Sequence, residues 1–299
     1  MTDKKDHIEE LWFSSVSKEE LAKYDKEAAF AVFQKRVREA GAQPKTKTRR
    51  LGWLKYAAAV AVIVSVGYFS FKGGQSNVES SFGDIVITTP QGSRTQLALP
   101  DGSKVWLNAG STISYSQGFG HSTRLVRLIG EGYFEVTHDE KLSFSVESDN
   151  MRVKVLGTKF NFRDYPTDAE ATVSLAEGSV AMNSQMLTAD DRLLKPGQRA
   201  IVDKRTGQIR VEGCEVTNAS QWTNGRLIFD GQPLPEIVKT LERSYNVKIT
   251  IQDKNLLVLR FYGDFLRQEQ TLGEVLDALA ATGKIRYEKK GKNVILFNP

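Results

Sequence analysis

YAAAVAVIVSVGYFSF, Tyr56 to Phe71, is a run without one charged residue, and its reading decides how the rest of the chain is arranged. At 1.5 Å of rise per residue the run falls slightly short of a hydrocarbon core ~30 Å thick, and Leu51, Trp53 and Leu54 lengthen it on one side. Lys55 and Lys72 are placed to snorkel to opposite interfaces, while Trp53, Tyr56 and Tyr68 suit the headgroup belts. The expectation is one transmembrane helix within residues 51–72, anchored by Trp53, Lys55, Tyr68 and Lys72. The plainer alternative is a buried core helix. A secretory signal fits poorly, because the run follows a charged segment of about 50 residues instead of opening the chain.

Orientation follows from the flanking cations. Lys45, Lys47, Arg49, Arg50 and Lys55 precede the run and only Lys72 closely follows it, so residues 1–50 are expected in the cytoplasm and the C-terminal part outside. With 299 residues, 40% of them hydrophobic, the chain has material for two or three domains with real cores. A formal charge of +5 raises the question of nucleic acid. The densest cationic cluster sits against the apolar run, where anionic lipid accounts for it, and no basic stripe with interleaved aromatics appears; direct nucleic-acid binding is not expected. Cys214 is the single cysteine, so no intrachain disulfide is available.

Residues 1–50 read as helical. Asp6 with Glu9, and Ser17 with Glu20, have capping-box spacing and predict helices opening near His7 and Lys18, the second running to about Ala40 and stopped by Gly41 and Pro44. Leu21, Tyr24, Ala28 and Val32 share one stripe, widened by Phe30, Phe33 and Val37; Leu11, Trp12, Phe13 and Val16 give the first helix its own apolar face. So short a pair cannot easily enclose so many large apolar groups. A protein partner is one way to complete these faces, and a self-contained hairpin or dimer is the other. Gln43 to Arg50 reads as a juxtamembrane linker, and residues 73–84 as a Gly/Ser/Asn-rich tether.

From Ile85 the period becomes two. Leu97 and Leu99 lead through Pro100-Asp101-Gly102 into Val105 and Leu107, a strong hairpin signal. Strands are expected at 125–129, 133–137, 142–147, 151–155, 159–163, 172–176 and 179–182, with turns at Gly130, Gly132, Gly157 and Gly178, and a last hairpin within 195–211 turning at Thr206-Gly207. Residues 85–221 are therefore an all-β domain, a sandwich, roll or short solenoid. From Trp222 the pattern changes to a β-α-β-β-α-β-β order: a strand at Arg226–Phe229, a helix carrying Leu234, Ile237, Val238, Leu241 and Tyr245, strands at 247–251 and 257–262, a helix capped by Thr271 with Glu274, and strands at 285–287 and 294–297. Residues 222–299 are expected to form a compact α+β module with the helix pair on one side of its strands.

No constellation asks for catalysis. His7, His121 and His138 lack a cysteine partner or HExxH spacing, Gly118-Phe119-Gly120 lacks the lysine and helix of a phosphate loop, and GxSxG is absent. Glu131 and Glu135 read as a solvated strand face in preference to a carboxylate pair across a cleft. No cofactor or metal is implied, and an enzyme acting on envelope polymers has no support.

Five blocks carry a resemblance: TPQGSRTQLALPDGSKVWLNAGSTISY (Thr89–Tyr115), LIGEGYFEV (Leu128–Val136), FSVES (Phe144–Ser148), VKVLGTKFNFRDY (Val153–Tyr165) and VSLAEGSV (Val173–Val180). They resemble the FecR family of sigma-factor regulators. WTNGRLIFDGQPLPEIVKTLERSYNVKI and FYGDFLRQEQTLGEVLDAL resemble the C-terminal module of FecR-like proteins, itself similar to signalling domains of secretins and TonB-dependent transporters. The resemblance implies a bacterial inner-membrane anti-sigma factor with its C-terminus in the periplasm. It further implies an extracytoplasmic-function (ECF) sigma factor as cytoplasmic partner and the signalling domain of a TonB-dependent transporter for iron chelates or glycans as periplasmic partner. In some members a protease at or near the membrane completes the signal. On this reading Leu11, Trp12, Phe13, Leu21, Tyr24, Phe30 and Phe33 supply the sigma contact. A membrane-anchored envelope scaffold or glycan- or peptide-binding protein without a sigma partner is the alternative. Strand edges of the C-terminal module are open to a partner strand unless Lys and Arg blunt them.

Overall fold

A computed structural model describes residues 25–41, 60–70, 83–187, 191–215 and 220–299, and the chain divides into two compact units, Met1–Ser70 and Phe71–Pro299. In the first unit, the helix expected to run from near Lys18 to about Ala40, whose expected opening lies outside the described residues, is not continuous through residue 25: α1 (Lys26–Ala40) opens at Asp25. The reason is local: Asp25 is extended, and its carboxylate accepts from the amides of Glu27 and Ala28, satisfying donors that only a helix start leaves free. Gly41 ends the helix as expected, its amide bonded to the Val37 carbonyl at 2.9 Å. Residues 60–70 form α2, which falls inside the apolar run. Among the described residues no helix is long and apolar enough to cross a membrane; residues 51–59, 71 and 72 of the expected span lie outside them. The expected helix near His7 lies outside them too.

The second unit opens with an all-β domain. Its thirteen described strands are β1 (Asp84–Thr88), β2 (Thr95–Ala98), β3 (Lys104–Leu107), β4 (Thr112–Ser116), β5 (Arg124–Glu135), β6 (Phe144–Glu147), β7 (Met151–Val155), β8 (Lys159–Asp164), β9 (Glu170–Glu177), β10 (Val180–Ser184), β11 (Arg192–Leu194), β12 (Gln198–Asp203) and β13 (Ile209–Gly213). All belong to one hydrogen-bonded array that turns back on itself through β5. The first half of β5 pairs with β4 and β6, and its second half pairs with β3 and β8. Both wings face one core: Val126, Phe144 and Met182 from one meet Val105, Phe134 and Val173 from the other, with the Phe134 and Phe144 rings edge to face.

The sequence predicts two strands with a turn at Gly130 and Gly132, whereas β5 is a single strand. Gly130 holds φ +103°, and a Cβ there would sit 2.5 Å from Ser111 Oγ. At Gly132 a Cβ would meet the Phe134 ring at 2.9 Å. These glycines bend a strand from one wing into the other without reversing it. The Pro100-Asp101-Gly102 and Thr206-Gly207 hairpins form as expected, joining β2 to β3 and β12 to β13.

The C-terminal module keeps the predicted element order: β14 (Arg226–Pro233), α3 (Leu234–Tyr245), β15 (Lys248–Ile251), β16 (Arg260–Leu266), α4 (Leu272–Ala280), β17 (Arg286–Lys290) and β18 (Asn293–Phe297). Residues 257 and 258, expected in a strand, belong to the 3-10 turn Lys254–Val258. The module's strands form two sheets, one of two strands and one of three. β18 lies between β15 and β17, parallel to the first and antiparallel to the second, and this leaves β14 to pair with β16 alone. The α3 helix packs against both sheets, so one core spans helix and sheets together. Thr271 and Glu274 make the reciprocal capping box that opens α4.

Candidate functional site

Two places among the described residues stand out, one for apolar side chains left exposed and one for charged side chains that are buried. The first is α1. Phe30 is 53% exposed and Phe33 62%, and Val32 and Val37 beside them are also exposed. The helix is amphipathic by sequence yet buries none of its large apolar residues within the described structure. Of the residues expected to contact a sigma factor, Phe30 and Phe33 lie here; Leu11, Trp12, Phe13, Leu21 and Tyr24 lie outside the described residues. Among the expected membrane anchors Tyr68 is described, exposed on α2 with its ring edge-on to Phe69. Trp53, Lys55 and Lys72 are outside.

The second place is the junction between the β domain and the C-terminal module, which sequence reasoning missed. It is built from β8, the loop after it, and α3. Asp168, in the loop between β8 and β9, is buried and bonded by three cations. Arg163 from β8 donates to its Oδ2 at 3.0 and 2.6 Å; Arg243 from α3 donates to Oδ2 at 3.2 Å and to Oδ1 at 2.9 Å; Lys239 stands 3.7 Å away. Burial by itself raises the Asp168 pKa, and the Arg163 and Arg243 guanidiniums outweigh it, holding the carboxyl below its ordinary value. The Arg243 guanidinium also lies 3.8 Å from the centre of the Tyr165 ring. Burial, with the Glu131 carboxylate close by, raises the Tyr165 phenol, which stays a donor and bonds the Ala109 carbonyl at 2.9 Å.

Beside this cluster runs a second polar chain. Trp222 Nε1 donates to Asn161 Oδ1, Asn161 Nδ2 to Glu131 Oε1, and Asn108 Nδ2 to Glu131 Oε2, each at 2.9 Å. Glu131 is therefore no solvated strand residue: it is 8% exposed and doubly bonded, and it does not pair with Glu135 across a cleft. A backbone bond completes the seam, the Gly92 amide donating to the Arg243 carbonyl at 2.8 Å. The donors and acceptors named here bind one another across the seam, which is an arrangement that holds the β domain and the C-terminal module in register.

Elsewhere the chemistry is sparse. His121 and His138 are exposed, and among the described residues no three metal-binding side chains converge. Gly118-Phe119-Gly120 is a turn whose Phe119 is buried in the core. The edge of β17 carries exposed Arg286, Glu288, Lys289 and Lys290 and is blunted by charge, whereas the β16 side of the module exposes Val258 and Tyr262.

Comparison with known proteins gives these modules a lineage. Residues 85–181 match the family model described as FecR protein, and residues 226–296 match the one described as FecR, C-terminal. No curated protein matches the chain. Two crystal structures of a “putative anti-sigma factor” from Parabacteroides distasonis ATCC 8503 are similar to it. One shares 31% identity over 72% of this chain and 99% of that chain with a TM-score of 0.67; the other shares 31% over 73% and 100% with a TM-score of 0.66. The two family models fall in order on the β domain and on the module it grips, and the solved structures are 31% identical over more than two thirds of the chain: the chain belongs to the FecR family.

Proposed function

We propose that this chain is a single-pass inner-membrane signal transducer that acts as an anti-sigma factor for an ECF sigma factor. The observation that carries the reading is its 31% identity, over 72% of this chain, to a crystallised chain described as a putative anti-sigma factor, of which 99% is covered. The unclothed apolar face of α1, with Phe30 and Phe33, supports a protein ligand on the N-terminal side. The uncharged run Tyr56–Phe71 and the cations on its N-terminal flank support a span with residues 1–50 in the cytoplasm and residues 73–299 in the periplasm. On this reading the C-terminal module receives the signalling domain of a TonB-dependent transporter, and the event outside alters the grip on the sigma factor inside. A protease near the membrane finishes the signal where release of the cytoplasmic segment is required.

A bacterial two-hybrid assay between residues 1–50 and each ECF sigma factor of the same organism tests the reading. A positive interaction is expected, with loss of control over the sigma-dependent genes when residues 1–50 are deleted. No interaction, or unchanged gene control after the deletion, favours a scaffold over a regulator.

A further inference from the structure

The two cores of the Phe71–Pro299 unit do not merge. One is drawn from residues between Ile85 and Ile209, the other from residues between Leu227 and Leu296. What joins the modules is largely polar: the Arg243–Asp168 pair with Lys239 beside it, the Arg163–Glu236 pair, the Arg243–Tyr165 stack, the bond from the buried Trp222 indole to Asn161, and the Gly92–Arg243 backbone bond. We infer that this junction is a releasable latch: the C-terminal module leaves the β domain as a folded body, and Arg243 on Asp168 is the grip that opens.

Three features favour release over unfolding. Separation exposes charged and polar groups that regain water, so the desolvation cost of burying them is recovered, whereas parting a shared apolar core would offer no such return. Asp168 keeps Arg163, a residue of its own domain, at 2.6 Å, so the open β domain is not left with an orphaned buried carboxylate. Arg243 likewise keeps a bond from its Nε to the Lys239 carbonyl at 3.1 Å within α3. Polar interfaces between modules of one chain are those at which relative motion is ordinary. The inference goes beyond the sigma-factor reading and stands without it; where that reading holds, release is the event that docking on the module drives.

The Gly92 amide is a built-in reporter, because its hydrogen bond crosses the junction. Hydrogen exchange is measured on the full chain in detergent micelles, wild type and Arg243→Gln, following peptides that contain Gly92, strand β9 and helix α3. The expected result is a rise of about tenfold in exchange at Gly92 in the variant, with β9 and α3 protected as before. Asp168→Asn, which weakens the same grip from the other side, is expected to act alike. Unchanged exchange at Gly92 in both variants overturns the latch. So does exchange that rises at Gly92 only together with β9 and α3, since the module then does not part as a folded body. No sigma factor or transporter is present, so this result is independent of whether either partner binds.

Discussion

Trp222 Nε1 donates to Asn161 Oδ1 at 2.9 Å, and this single bond ties the first turn of the C-terminal module to a side chain on the face of the β domain. Asn161 is buried and spends its amide on Glu131, so its carbonyl oxygen depends on the indole. Trp222→Phe keeps most of the ring and removes the donor. It is expected to cost about 1–3 kcal/mol, read as a lowered denaturant midpoint.

Asp101 does more than turn the β2–β3 hairpin. Its Oδ2 lies 2.6 Å from Arg124 Nη2, and the two side chains are 8% and 2% exposed. Arg124 also donates to the Thr137 and Leu142 carbonyls, so losing Asp101 strands a cation that is partly satisfied. Asp101→Ala is expected to destabilise by about 3 kcal/mol, at the lower end for a broken buried pair, seen as a drop in Tm.

The Asp168 carboxyl is held below its ordinary value in the folded chain. A depressed folded-state pKa means that the contribution to stability is fully present above the unfolded value of ~4 and is lost as pH falls through the folded value. The stability difference between wild type and Asp168→Asn should therefore be flat from about pH 8 to 5 and shrink below about pH 4. Denaturant midpoints across that range check it. A difference that grows in acid contradicts the sign.

Thr271 accepts from the Glu274 amide and Glu274 Oε2 from the Thr271 amide, closing the start of α4. Thr271→Ala should cost about 1 kcal/mol and Thr271→Ser much less, by thermal unfolding.

That cap was legible because all its parts lie within one turn of chain, and the Pro100-Asp101-Gly102 hairpin was legible for the same reason. Periodicity likewise set the element order of the C-terminal module. Gly130 and Gly132 misled because a glycine marks close backbone approach whether the strand reverses or bends, and only Ser111 and Phe134 decide which. Asp25 opens α1 without the Glu or Gln three residues on that marks a capping box, Ala28 standing there instead. The junction was invisible for a different reason. Arg243 and Asp168 stand 75 residues apart and Trp222 and Asn161 61 apart, and nothing in either local pattern distinguishes a buried ionic partner from an ordinary surface charge. Only the unusual wealth of apolar residues around Phe30 and Phe33 hinted at a ligand, because it exceeds what a short helix can bury.

On the proposed reading this chain grips a sigma factor through that helix. The most direct test is calorimetric titration of the purified full chain with the ECF sigma factors of the same organism, for wild type and for Phe30→Asp/Phe33→Asp. Saturable binding by wild type, weakened at least about tenfold by the double variant, is the predicted result. No binding by wild type, or equal binding by both, would contradict it.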